Sequence, residues 1–208
     1  MEDIYNCCMT PFELRGIEGR QGTDYCRKMM HPVPAAAVVE DRIDFIVSHC
    51  RDKNVLNIGC ASGHLHSRIK SVAKYVIGVD RALNTADIQI DVDMQPHVIY
   101  GDIVSKNLPY PDLIVAGEII EHLANPGHFL HTLRQLKTPL LITVPNALAE
   151  GGRSWLRYGY EQVNNDHVAW YSYHTLKILV ERYNFKIDEF YWYGGKPLTA
   201  EGLIFVVS

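Results

Sequence analysis

Val55-Leu56-Asn57-Ile58-Gly59-Cys60-Ala61-Ser62-Gly63 is an apolar run that dissolves into small residues, and Val76-Ile77-Gly78-Val79-Asp80 is a second apolar run ending in an acid. Runs this short and this apolar suit strands buried on both faces of a parallel sheet. Small residues after the first run permit a sharp bend and let a ligand approach the backbone with no Cβ in its way. The free N–H groups of a following helix then face that ligand. Strand, glycine turn, helix and acid-tipped strand together predict a nucleotide-cofactor site, with Asp80 and its neighbour Arg81 at the tip and the Asp80 carboxylate placed for a ribose diol.

Working outward, the same alternation continues. Before the turn, Val38-Val39, Ile43 and Ile46-Val47 recur at helical spacing beside Glu40, Asp41, Arg42 and Asp44, which predicts an amphipathic helix over 35–49. After it, helices are expected over 65–72, 129–136 and 173–183, the last with Ser172 as N-cap. Strands are expected at 55–58, 75–79, 98–100, 113–116 and 140–144. Short apolar strands alternating with helices specify a doubly wound α/β sheet with helices on both faces. The final runs, 185–193 and 203–207, are joined through Gly194-Gly195-Lys196-Pro197 with no helix between them, so they form a hairpin and the last strand runs antiparallel. Residues 1–34 carry weak periodicity and read as an N-terminal arm or lid, and 35–208 as one domain.

The 208 residues are 47% hydrophobic and 21% charged, an ordinary globular composition with enough chain for a full core. No apolar stretch approaches the roughly 20 residues of a membrane-spanning helix. The start, Met1-Glu2-Asp3-Ile4-Tyr5-Asn6, is acidic and lacks the features of a signal peptide, so the cytoplasm is the expected compartment. Five cysteines with no C-x-x-C pair suggest neither a disulfide framework nor a zinc site. A formal net charge of −4 without a basic run argues against DNA or long RNA as a partner and for a small-molecule substrate. Oligomeric state is not legible.

The glycine spacing selects the nucleotide. A dinucleotide fingerprint reads G-x-G-x-x-G; here Gly59 and Gly63 lie four apart with Ala61 between them. The chain resembles class I S-adenosylmethionine (SAM) methyltransferases of the ubiquinone-biosynthesis-like group. The blocks carrying the resemblance are Asn57-x-Gly59-x-Ala61-x-Gly63, Asp80, Gly101-Asp102-Ile103, Glu118-x-x-Glu121-His122-Leu123, Leu141–Asn146 and Asp166–Ser172, in the family's order. The resemblance implies a Rossmann-like seven-stranded sheet of order 3-2-1-4-5-7-6 with strand seven antiparallel. It places Asn57, Gly59, Cys60, Ala61 and Gly63 under the methionine part of SAM, Asp80 and Arg81 at the ribose, Asp102 and Ile103 at the adenine, and Glu118 near the sulfonium. The sequence departs from the family at Asn57, where an acid is usual, and at Ala61, where glycine is, so weaker SAM binding is expected.

Transfer to a hydroxyl needs a base, and histidine suits neutral pH. His122, after the fourth strand, and His167, in the aromatic segment after the fifth, are the candidate catalytic residues; anchoring a helix start is the structural role open to His122. Trp155, Tyr158, Tyr160, Trp170, Tyr171 and Tyr173 would wall an acceptor pocket or pack the loop onto the sheet, and Arg153 and Arg157 could pair with an anionic acceptor. No metal is assigned in this reading. A competing one exists: small-RNA 3′-end 2′-O-methyltransferases have a similar E-x-x-E-H segment and a later histidine that bind a divalent ion, and Glu118, Glu121, His122 and His167 match that set. A SAM-binding protein without transfer, and a nicotinamide oxidoreductase, are the further alternatives.

Overall fold

The computed structural model describes residues 40–60, 64–80, 89–91, 109–151, 164 and 167–208. The expected arm at 1–34 and the turn residues 61–63 lie outside them. Strands β1 (Asn54–Ile58), β2 (Tyr75–Asp80), β3 (Gln89–Asp91), β4 (Leu113–Gly117), β5 (Leu140–Pro145), β6 (Ile187–Tyr193) and β7 (Gly202–Val207) form one sheet in the order β3-β2-β1-β4-β5-β7-β6. Six of these strands run for five to seven residues, and β3 is a three-residue edge. β1 to β5 are parallel, β7 is antiparallel to β5, and β6 closes the hairpin with β7.

The described strand beside β2 is one that the apolar runs do not mark. The run at 98–100 lies outside the described residues, and the strand beside β2 is Gln89–Asp91, in register with Gly78–Asp80. A short polar edge strand carries no apolar run to detect, because edges tolerate polar residues that central strands do not.

Period-two alternation sorts each strand between two cores. Val55, Leu113, Val115, Leu141 and Ile204 point to one face and pack with Ile46 and Cys50 of helix α1 (Glu40–Cys50) and Ile69 of α2 (His64–Lys70). Leu56, Ile58, Ile114, Ala116 and Ile142 point to the other, against Phe129, Leu130 and Leu133 of α3 (Pro126–Gln135) and Leu176 and Val180 of α4 (Tyr173–Arg182). The result is a sheet between two helical layers. α4 begins at Ser172 as expected, in a capping box closed by Thr175. α3 starts earlier than the apolar spacing indicates: the Asn125 side chain accepts a hydrogen bond from the His128 N–H at 3.0 Å, and Pro126 occupies the first turn. Among the described residues no helix is long and apolar enough to cross a membrane.

Candidate active site

The carboxyl ends of β1 and β4 lie side by side, since Ile58 pairs with Ala116. Beyond β1 the chain turns at Gly59, whose φ of +75° is open to glycine at little cost. The Gly59 N–H donates to the Val79 carbonyl at 2.7 Å, tying the turn to β2. A Cβ on Gly59 would lie 1.9 Å from Cδ1 of Ile119, so the glycine also lets the chain after β4 pack directly on the turn. Asn57 is buried, with its amide nitrogen 3.4 Å from Nδ1 of His66 on α2. Gly78 makes room for that imidazole: a Cβ there would lie 2.9 Å from His66 Cε1.

After β4 the chain places two acids. Glu118 holds a left-handed φ of +55°, and its N–H donates to the Thr143 carbonyl at 3.0 Å. Its Oε1 accepts from the Thr143 hydroxyl at 2.7 Å and the Tyr193 hydroxyl at 3.0 Å, and lies 3.4 Å from Nη1 of Arg42. Glu118 Oε2 is buried without a hydrogen-bond partner among the described residues. Burial pushes the Glu118 carboxyl above the usual range, against the lowering pull of Arg42, Thr143, Tyr193 and His122.

Glu121 sits in the 3-10 turn Ile120–His122, only 1% exposed, and neither of its carboxylate oxygens has a hydrogen-bond partner among the described residues. Burial first, and then the charge of Glu118, push its carboxyl up to about 9. Two imidazoles flank it. Oε1 of Glu121 lies 3.9 Å from Nε2 of His122 and 4.0 Å from Nε2 of His167. The rings meet edge to face with centroids 4.6 Å apart. His167 arrives because the following N–H groups of Val168 and Ala169 donate to the Glu121 carbonyl at 2.8 and 3.2 Å. Tyr171, buried with its hydroxyl pushed up to about 12 by burial and by Glu121, packs beneath the same turn.

The fold therefore gathers Glu118, Glu121, His122 and His167 at one edge of the sheet, with Gly59 packed against the intervening Ile119. Ala61, Gly63, Arg81, Asp102 and Ile103 lie outside the described residues, and of Asp80 only the backbone, at the tip of β2, is described. So do Trp155, Tyr158, Tyr160, Arg153 and Arg157. Tyr173 packs among Phe190, Trp192 and Phe205, on the loop-packing side of its two readings. Two residues that hold Glu118 escape sequence reading. Arg42 reads as part of the solvent face of α1 but is buried; its spacing from Ile46 and Cys50, four and eight residues on, puts it on the apolar stripe. Tyr193 ends a hairpin strand, and the signal for its inward ring is Gly202 opposite, where a Cβ would lie 2.0 Å from Tyr193 Cζ.

Residues 29–189 match the family model described as "Methyltransferase domain". A curated relative, the ubiquinone biosynthesis O-methyltransferase of Paraburkholderia xenovorans, is 29% identical over 100 residues, 44% of this chain; the match spans 43% of that relative's length. Among solved structures, a SAM-dependent methyltransferase from Archaeoglobus fulgidus superposes with a TM-score of 0.62 at 15% identity, covering 95% of this chain and 99% of that one. The small RNA methyltransferase HEN1 also reaches 0.62, at 16% identity over 81% of this chain and 25% of its own. At these identities the two structures speak to the fold, which is the α/β Rossmann-like methyltransferase fold. The family model, covering well over half of the chain, carries the assignment: the protein belongs to the methyltransferase-domain family.

Proposed function

We propose that the protein transfers a methyl group from SAM to a hydroxyl oxygen of a small molecule. The observation that carries this reading is the meeting of His122 and His167 beside the buried Glu121, at the carboxyl end of β4 where open α/β sheets bind ligands. A cationic cofactor suits this edge, because three buried carboxylate oxygens there lack a hydrogen-bond partner among the described residues. Asn57, Gly59, Cys60, Ala61 and Gly63 would cradle its methionine part, Asp80 and Arg81 its ribose, Asp102 and Ile103 its adenine, with Glu118 towards the sulfur. When bound, SAM supplies an electrophilic methyl group that an oxygen lone pair displaces from sulfur in line. The chain's own task is to align the acceptor, exclude water and take the hydroxyl proton. His122, 32% exposed, and His167, 15% exposed, sit at the mouth of the buried acid, where either Nε2 can meet an acceptor hydroxyl. Phenols are the acceptors to try first, given the O-methyltransferase relative.

The test is release of S-adenosylhomocysteine from SAM in the presence of a panel of phenolic and aliphatic alcohols. Activity should fall in His122→Ala and His167→Ala while SAM affinity persists. Wild-type turnover in both variants would end the base assignment.

One observation favours a second reading of the same edge. Ligand atoms of Glu121, His122 and His167 all lie within 4.8 Å of one another. These three form a mixed carboxylate and imidazole set of the kind that holds a divalent cation, which would polarise an acceptor hydroxyl as a Lewis acid. The acceptor class then extends to a short RNA, the kind of substrate named for HEN1. Stimulation by Mn²⁺ with labelling of a short RNA would favour this reading, and activity unaffected by a chelator would dismiss it.

A further inference from the structure

Glu118 is held in an unusually one-sided way. Thr143 of β5, Tyr193 at the end of β6 and Arg42 of α1 all converge on Oε1, at 2.7, 3.0 and 3.4 Å, so that three separate elements saturate a single oxygen. Thr143 acts as the relay. Its Oγ1 accepts from Arg42 Nη1 at 3.2 Å while its own proton goes to the carboxylate. Tyr193 is fully buried, and Arg42 also lies over its ring at 5.7 Å from the centroid.

A purely structural acid would share its donors between both oxygens. Here Oε2 is buried and has no hydrogen-bond partner among the described residues, a desolvation cost with no return in the ligand-free fold. The left-handed backbone of Glu118 adds a second cost, conformational strain at a residue with a side chain. Two costs at one residue, beside a turn built for a ligand, make sense when the spare oxygen is reserved for something that binds.

We propose that Arg42, Thr143 and Tyr193 are positioning residues for Glu118: together they occupy Oε1 and leave Oε2 to face the cationic sulfur of the bound methyl donor. The proposal rests on the reading of Glu118 as part of the cofactor half-site. It predicts a signature in the choice between two ligands that share adenine, ribose and ammonium and differ at sulfur, which is cationic in SAM and neutral in S-adenosylhomocysteine. A carboxylate aimed at sulfur favours SAM; a loosened one favours it less.

The experiment is isothermal titration of both ligands into the full chain and its variants, with melting temperatures recorded alongside. Glu118→Gln should lower the SAM-over-S-adenosylhomocysteine preference about ten-fold, and Tyr193→Phe and Thr143→Val each about three-fold, whereas Thr143→Ser, which restores the hydroxyl, should keep the wild-type preference. General damage to the fold would weaken both ligands together and leave their ratio fixed. An unchanged ratio in Glu118→Gln overturns the placing of Glu118 at the sulfur. A shifted ratio in Glu118→Gln with unchanged ratios in Tyr193→Phe and Thr143→Val overturns the positioning role alone.

Discussion

Replacing Glu121 by glutamine should stabilise the ligand-free protein above pH 5, and the size of the effect follows from the site. The side chain is 1% exposed, without a hydrogen-bond partner for either carboxylate oxygen among the described residues, and its carboxyl is raised from an ordinary 4.5 to about 9, by burial first and by Glu118 second. A group whose folded value lies above its unfolded one contributes stability that is complete below pH 4.5 and lost as pH rises towards 9, because the unfolded chain releases the proton that the folded chain retains. From 4.5 to 7, at about 1.4 kcal/mol per unit, this amounts to roughly 3 kcal/mol. In a domain of this size that corresponds to roughly 6–12 °C in melting temperature. Glutamine has nearly the same shape and no proton to lose, so its profile should lack this slope. Urea unfolding of wild type and Glu121→Gln in chelator, from pH 4.5 to 9, reads the difference directly. The two stability curves should diverge as pH rises, with the variant above. Parallel curves would show that burial and the Glu118 charge leave the Glu121 carboxyl at its ordinary value.

Other consequences are independent of that titration. Asp80→Ala should weaken SAM binding by about ten-fold or more in calorimetry, through loss of the ribose contacts; an unchanged affinity would remove the ribose assignment. Gly202→Ala would place a Cβ 2.0 Å from Tyr193 Cζ and should cost about 1–3 kcal/mol of stability in urea, and a neutral result would mean that the ring has room to move. If the edge holds a divalent cation, Mn²⁺ titrated into the protein should bind, and His167→Ala should lower that affinity at least about ten-fold. Equal Mn²⁺ affinity in wild type and His167→Ala would exclude His167 as a ligand.

What the sequence reveals, and what it conceals, divides along physical lines. The turn at Gly59 and the strands around it are legible because buried parallel strands are apolar runs and the bend needs small residues. The hairpin at the end is legible because two runs with no helix between them have only one way to pair. Edge strand β3, Gln89–Asp91, is not, since a sheet edge makes no comparable demand. His122 and His167 could be named from the segments around them, but their meeting depends on two long-range hydrogen bonds from Val168 and Ala169 to the Glu121 carbonyl. Arg42 and Tyr193 were hidden for a different reason: a buried arginine looks like a surface residue, and an inward tyrosine like any strand aromatic, until the carboxylate they serve is placed between them.

The most direct test of the account is a crystal structure of the protein with S-adenosylhomocysteine bound. The ligand should lie across the carboxyl ends of β1 and β4, its ribose at Asp80 and its sulfur towards Glu118, with His122 and His167 on the far side of the vacant methyl position. A ligand bound elsewhere on the molecule, or one whose sulfur faces away from Glu118 and the two histidines, would contradict it.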